Sequence, residues 1–320
     1  MIDASSFSLG LGLTHASLAW VDLLQAARAL LVEPFADYGF MRRALWAALA
    51  LTLTAAPLGC LLVLRRMSLV GEAIAHALLP GAAVGHALAG LSLLAMAAGS
   101  LVAAALVACV AGLASRHTHQ HEDAGFSAFY LIALAAGVLL MARGGGGPDL
   151  LHLLFGSVLA VDATALLALA GLTSLMLLAL AAGWRVLVHD SLDPAFLRTG
   201  TGAGAARWGH GLLLALLVLH LVGALQALGA LMAIGQLMLP ALAARFWSRS
   251  LPGMVLGAWT LGALAGIGGL LLSFHAELPS GPAIVLLAGV AYVVSLLFGR
   301  VDGVWRGAGL AAPVQRWLRA

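Results

Sequence analysis

Long stretches without a single acidic residue, lysine or arginine dominate this sequence of 320 residues. A helix needs about 20 mostly apolar residues to cross a bilayer, and the stretches are close to that length or longer. Only 9% of the residues are charged and 62% are hydrophobic, so there are too few charges to cover a surface that faces water. The sequence therefore predicts an all-α, polytopic membrane bundle. The stretches lie at residues 44–64, 73–115, 124–142, 163–184, 208–244, 250–276 and 278–299.

Two of these stretches are long enough for two helices each. Residues 73–115 must fold back near Gly90–Ser92. Residues 208–244 indicate two short or broken helices, because they contain Gly223, Gly229, Gly235 and Pro240. We therefore expect about nine transmembrane helices, within a range of roughly 8–10. The 39 glycines would allow close helix packing in lipid. The predicted spans are 42–64, 69–89, 92–114, 125–142, 156–183, 208–225, 227–244, 253–273 and 281–299.

The chain divides into three predicted regions. Residues 1–37 are expected to form an N-terminal extension, either an interfacial helix or an extra span, because the segment is apolar but carries Asp22 and Arg28. Residues 38–299 form the predicted transmembrane domain. Residues 300–320 form a predicted cytoplasmic tail that contains four arginines.

Arginine marks one side of the predicted bundle. All 16 basic residues are arginine, and most lie at span ends that alternation places on one side, which is the cytoplasm by the positive-inside rule. Arg42 and Arg43 depart from this pattern. A Walker A loop needs a lysine on the phosphates, so the chain is not itself an ATPase of that type. Because the arginines follow the membrane topology, no nucleic-acid partner is expected.

Glu72 and His76 are the outstanding ionisable pair inside a predicted span. Ionisable groups in the membrane are costly and mark functional sites, and a spacing of four residues places both side chains on one helical face. A carboxylate oxygen and an imidazole nitrogen form half of a site for a divalent metal such as Zn²⁺ or Mn²⁺. A hydrogen bond between Glu72 and His76 that joins two helices is the alternative.

Four polar residues lie in the stretch 208–244, namely His210, His220, Gln226 and Gln236. His220, Gln226 and Gln236 could line a translocation path through the membrane, and interhelical hydrogen bonding is the alternative for each. His117, His119 and His121 alternate in a loop that ends with Glu122 and Asp123. Such a tract can hold a metal ion loosely, although a solvated loop would have the same composition.

The largest polar loop contains a predicted short helix. Asp193 is a suitable N-cap, Pro194 occupies the first helical position and Gly200 follows the end. On the cytoplasmic side, this helix is suited to docking a partner, although a purely structural loop is an alternative. Its residues are Asp193, Pro194, Ala195, Phe196, Leu197 and Arg198.

Six segments in order along the chain resemble the membrane permeases of bacterial ABC importers for zinc, manganese and ferrous iron. The resemblance covers about residues 38–299. It implies a homodimer in the bacterial cytoplasmic membrane, cytoplasmic ATPase subunits that bind ATP, and an extracytoplasmic metal-binding protein. The segments are Phe40–Leu45, Val63–Gly81, Leu154–Val161, Asp193–Phe196, Leu239–Arg245 and Leu278–Val285.

The resemblance also assigns roles to residues. The family commonly has aspartate and histidine where this chain has Glu72 and His76, and the segment Asp193–Thr199 corresponds to its coupling helix. This chain departs from the family pattern at two positions: glutamate replaces the usual aspartate at position 72, and alanine stands at position 75, where serine is frequent. These departures leave the preferred metal open. We expect transported Zn²⁺ first and Mn²⁺ second, with no permanently bound cofactor.

Two other functions compete with this prediction. An ABC permease for a metal chelate such as a siderophore or cobalamin needs no buried carboxylate–imidazole pair. A secondary metal/proton transporter would use Glu72 to carry a proton and would need no ATPase. An intramembrane metalloprotease is excluded, because it would need an HExxH motif, which the sequence lacks.

Overall fold

A computed structural model describes residues 25–90, 92–117, 158–192, 203–301 and 303–305, with isolated residues between 126 and 139. These residues contain no strand. A short helix, Glu33–Asp37, and a 3-10 turn, Val158–Ala160, accompany the long helices. The long helices are α1 (Gly39–Leu64), α2 (Ser68–Ala89), α3 (Leu93–His117), α4 (Ala163–Leu192), α5 (Ala203–Leu228), α6 (Ala230–Arg245), α7 (Leu251–Ala276) and α8 (Ser280–Phe298).

The prediction of an all-α membrane bundle is confirmed. Within the described residues, six helices are long and apolar enough to cross a membrane, and α6 is shorter at 16 residues. Helix α2 matches the predicted span 69–89, and described residues between 126 and 139 are helical where 125–142 was predicted. Residues 25–31 are also helical, and the topology of residues 1–37 stays a prediction.

Two predicted span boundaries are wrong. The predicted span 156–183 is a helix from Ala163 to Leu192. It begins late because the Asp162 carboxylate accepts a hydrogen bond from the backbone N–H of Ala165, at 2.7 Å, and thereby caps the first turn. It ends late because Arg185 is exposed, and an exposed arginine does not interrupt helical hydrogen bonding.

The boundary between α5 and α6 lies three residues later than predicted. The spans were expected to divide at residue 226, whereas Gly229 separates the two helices. Gly229 has φ +86°, a conformation that glycine adopts without the penalty of a Cβ atom. The first helix is also longer than predicted, with 26 residues. A glycine in a helix is tolerated, so composition alone did not identify which glycine forms the turn.

Helix α1 lies at the centre of the bundle. Its most apolar window is 78% buried, compared with 22% for the windows of α3 and α4, and it packs against α4, α5, α6 and α7. Glycine permits the closest approach: a Cβ atom at Gly59 would overlap the backbone carbonyl of Leu237 in α6 and lie 3.0 Å from the Cβ of Ala241. Without a hydrophobic force between helices in lipid, such close packing stabilises the bundle.

Helices α2 and α3 also pack closely, along two rows of small residues. Gly81 and Gly85 on α2 are four residues apart and face Ala95, Gly99 and Ala103 on α3. A Cβ atom at Gly81 would lie 2.7 Å from the carbonyl carbon of Gly99, and one at Gly85 would lie 2.7 Å from that of Ala95. This contact holds the second half of α2 and therefore positions the first half, which carries the ionisable pair.

Candidate metal site

The candidate site lies in the first half of α2. Glu72 and His76 lie on one face of the helix, one turn apart, and Glu72 acts electrostatically on His76. Both residues are half-buried. A neighbouring position is packed into the bundle, because a Cβ atom at Gly71 would lie 3.0 Å from Met238 Cε and 3.4 Å from Leu237 Cδ2 of α6. The backbone that carries the pair is therefore held against α6.

Glu72 and His76 belong to the least buried stripe of α2. Leu69 and Val84 on this stripe are 41% and 43% exposed, whereas Ile74 on the inner face is fully buried. A charged side chain that faces acyl chains costs roughly 2.5–3.5 kcal/mol or more at the bilayer centre. The stripe is therefore suited to a water-filled path or to a second protein surface, and is unsuited to lipid.

Within the described residues, two candidate metal-binding side chains lie at this position. Glu72 supplies carboxylate oxygens and His76 supplies an imidazole nitrogen, both of which bind divalent first-row metals. Among the described residues, no group of three or more histidine, cysteine, aspartate or glutamate side chains is arranged to hold a metal ion. The described part of one protomer therefore supplies fewer than the three or four protein ligands that are usual for a metal site.

His220 and Gln236 lie between helices. His220 is 1% exposed, and its Nδ1 atom forms a 3.0 Å hydrogen bond with the hydroxyl of Thr54 in α1. Gln236 is 3% exposed, and its amide donates to Thr52 Oγ1 at 2.6 Å and to the carbonyl of Gly262 at 3.1 Å. These contacts match the interhelical hydrogen bonding that the sequence left as the alternative.

Of the remaining predicted site residues, the structure describes Gln226 but not the loop histidines or the predicted coupling helix. Gln226 is exposed near the end of α5, and a role of His220, Gln226 and Gln236 in a path stays a prediction. The structure does not describe the side chain of His117. It also does not describe His119, His121 or residues 193–198. The predicted coupling helix and the loop histidines therefore stay predictions.

Sequence reasoning missed a polar cluster at the arginine-rich end of the bundle. Arg65, directly after α1, forms an ion pair with Asp190 near the end of α4. Its guanidinium also donates to Ser191 Oγ at 3.1 Å and lies 3.0 Å from His210 Nδ1 in α5. Arg65 and Asp190 are separated by 125 positions, so no local spacing could have indicated the pair.

The fold is that of a polytopic helical membrane protein, and it carries an ionisable pair on the half-buried stripe of one helix. Residues 37–299 match the family model of the ABC 3 transport family. The chain belongs to this family and is a multi-pass permease of the bacterial inner membrane. The family assignment agrees with the resemblance found in the sequence.

Similar proteins support the assignment. The chain is 31% identical over 276 residues to the manganese transport system membrane protein MntC of Halalkalibacterium halodurans, which covers 85% of this chain and 92% of that protein. It is 32% identical to the chelated iron transport system membrane protein YfeD of Yersinia pestis, with coverage of 86% and 91%. The structure of PsaBC from Streptococcus pneumoniae in complex with Fab has a TM-score of 0.75 and 28% identity, and covers 87% of this chain and 98% of that chain.

Proposed function

We propose that this permease carries a divalent transition metal ion into the cell, with Glu72 and His76 as ligands on the path. The observation that carries the proposal is the position of the pair: two metal-binding side chains one turn apart on the half-exposed stripe of α2. This position combines ligand chemistry with a surface that is costly to leave in lipid. Two ligands are too few for a closed structural metal site, which usually has four ligands.

We further propose that two copies of the chain meet at this stripe. A two-fold axis beside α2 would bring two Glu72 carboxylates and two His76 imidazoles together around one ion. The opening of such a site by movement of one protomer against the other would release the ion, as alternating access requires. The homodimer was expected from the resemblance, and the half-buried state of the pair in one protomer supports it.

Manganese is the proposed cargo. Carboxylate ligands suit Mn²⁺, while imidazole is common to Zn²⁺, Fe²⁺ and other first-row metals, so the ligand types alone leave the metal open. The relatives' names include manganese and chelated iron. These names favour Mn²⁺ over the Zn²⁺ that was ranked first from the sequence. Glutamate in place of the usual aspartate reaches one methylene further, which would alter the metal–oxygen geometry.

The proposed function needs partner proteins. Cytoplasmic ATPase subunits would hydrolyse ATP and contact the segment 193–198, and an extracytoplasmic metal-binding protein would deliver the ion. Residues 38–299 would form the transporting domain, residues 1–37 an extension and residues 300–320 a cytoplasmic tail. His117, His119 and His121 are proposed to meet the ion on the cytoplasmic side.

The test is uptake of radioactive Mn²⁺ into proteoliposomes that contain the complete complex with its ATPase subunits and binding protein. Glu72→Gln and His76→Leu should each reduce uptake at low Mn²⁺ by more than the 10–100-fold typical of changes outside the ligand sphere. Glu277→Gln and His275→Leu are matched controls, because both residues are exposed near the end of α7, and they should leave uptake at the wild-type level.

Different results separate the competing functions. Uptake that persists in Glu72→Gln and His76→Leu would refute the assigned site. Uptake that needs a proton gradient and no ATP would indicate a secondary transporter. If ATP hydrolysis responds to a metal chelate and not to free Mn²⁺, the chelate permease is correct and the proposal is wrong.

A further inference from the structure

The corner between α1 and α2 is a tightly hydrogen-bonded turn. The backbone N–H of Met67 donates to the carbonyl of Leu62 at 3.0 Å, and that of Arg66 donates to Val63 at 3.1 Å. These bonds form the Schellman pattern that ends many helices. Its left-handed position, usually glycine, is occupied by Arg66 with φ 58°. A side chain in this conformation is unfavourable, so the surrounding contacts must hold the corner in one shape.

Arg65 fastens this corner to two other helices. Its side chain is 9% exposed and that of its ion-pair partner Asp190 is 7% exposed. Ser191 accepts a further hydrogen bond from Arg65 and donates its own hydroxyl hydrogen to the carbonyl of Leu187 at 2.6 Å. One guanidinium therefore joins the end of α1 to the last two turns of α4.

The N-terminal half of α5 completes the cluster. His210 contributes its Nδ1 atom at 3.0 Å from the Arg65 guanidinium. Gly209 allows the close approach, because a Cβ atom there would lie 3.1 Å from Asp190 Cβ and 3.2 Å from Asp190 Oδ2. Three helix ends thus meet at a shielded, charged contact rather than at apolar surfaces that could slide past one another.

The ion pair between Arg65 and Asp190 connects the end of α4 to the start of α2. Asp190 lies two residues before the end of α4 at Leu192, directly before the segment proposed to contact the ATPase. Arg65 lies seven residues before Glu72, and a continuous helix connects Ser68 to the proposed metal ligand. Movement of the end of α4 would therefore act on the start of α2 through the contacts of Arg65 with Asp190 and Ser191 and through a stiff corner.

We propose that Arg65 and Asp190 are positioning residues that transmit the movement driven by ATP from α4 to the metal site on α2. This inference rests on the proposed function, because it assigns a mechanical role in the same transport cycle. Arg65 is suited to the role because its planar guanidinium has several fixed donors, whereas lysine presents one flexible ammonium group. Neither residue is proposed to contact the ion.

The test measures Mn²⁺ uptake and ATP hydrolysis on the same proteoliposomes of the complete complex. Arg65→Gln and Asp190→Asn should each lower the number of ions transported per ATP by about 5- to 150-fold, the usual range for coupling between two sites. Arg66→Gln is the matched control, because it removes one positive charge from the same corner at an exposed position, and it should leave the ratio unchanged. The ratio is the decisive quantity, since a loss of folded protein lowers uptake and hydrolysis together.

Arg65→Lys keeps the test informative if the uncharged variants do not assemble. Lysine retains the ion pair, so the variant should assemble, but it loses the fixed contacts to Ser191 and His210, so the ratio should fall at least several-fold. A wild-type ratio in assembled Arg65→Gln and Asp190→Asn, or in Arg65→Lys where those do not assemble, would overturn the inference. Failure of the proposed function gives a different result, because the wild-type complex itself would then not transport Mn²⁺.

Discussion

The contact between α2 and α3 yields a quantitative prediction for Gly99→Ala. A Cβ atom at Gly99 would overlap the carbonyl oxygen of Gly81 and lie 3.1 Å from its carbonyl carbon and 3.2 Å from the amide nitrogen of Gly85. All of these are backbone atoms, so no side chain can rotate to make room. Because carbon atoms prefer separations of about 3.5–4.0 Å, the two helices would have to move apart by roughly 1 Å.

The expected cost follows from two opposing effects. Overpacking of a close contact costs about 1–3 kcal/mol, while alanine in place of glycine favours a helix by about 0.8–1.0 kcal/mol. Gly171→Ala is the matched control, because Gly171 is a helical glycine in α4 where an added methyl group would have nothing within 4 Å. Only the favourable effect applies there, so Gly99→Ala should be less stable than Gly171→Ala by about 1–3 kcal/mol.

The assay is reversible unfolding in mixed micelles with increasing SDS, followed by loss of helical circular dichroism. The free energy of unfolding should be lower for Gly99→Ala than for the wild type and unchanged or higher for Gly171→Ala. Equal free energies for the two variants would refute the reasoning, because they would show that backbone contact between α2 and α3 does not limit their packing.

Two further predictions concern buried and capping hydrogen bonds. Thr54→Val leaves the Nδ1 atom of buried His220 without its partner hydroxyl and should lower the free energy of unfolding by about 1–3 kcal/mol. Thr260→Val is the control, because Thr260 is exposed and, like Thr54, donates to the carbonyl three residues back. It should change the free energy of unfolding by less than about 0.5 kcal/mol, and the same SDS titration measures both variants. Hydrogen bonds from the Ala165 amide and the neighbouring threonine hydroxyl lower the pKa of Asp162, so this cap stabilises α4 above the ordinary pKa of aspartate and is lost as the pH falls through the lowered pKa. At neutral pH, the amide hydrogen of Ala165 should therefore exchange faster in Asp162→Ala than in the wild type. An unchanged exchange rate would contradict the capping role.

Local features of the candidate site were predictable from the sequence. Glu72 and His76 lie on one helix, and the helical period alone places residues four apart on one face. The contacts of Arg65 with Asp190 and of Thr54 with His220 were not predictable, because the partners are 125 and 166 positions apart. Such contacts depend on which helices pack against one another, and the hydropathy of the sequence does not indicate those neighbours.

The boundaries of the helices illustrate the same limit. The start of α4 depends on a capping hydrogen bond at Asp162, and the turn before α6 depends on the backbone of Gly229. The predicted spans indicated the existence of these helices and missed their ends by up to nine residues, at Leu192. A hydropathy stretch measures transfer into lipid, whereas a helix ends where its backbone hydrogen bonds end.

From the order of the amino acids we could predict that the chain is a membrane bundle, which end carries the arginines and which two ionisable side chains share a helical face. These properties follow from transfer of residues into lipid and from the helical period, both of which act locally. The central place of α1, the packing of α2 against α3 and the contacts by which Arg65 joins three helix ends are visible only in the folded chain. In lipid, apolar faces are equivalent to one another, so only the fit of small residues and the pairing of polar groups selects the neighbours.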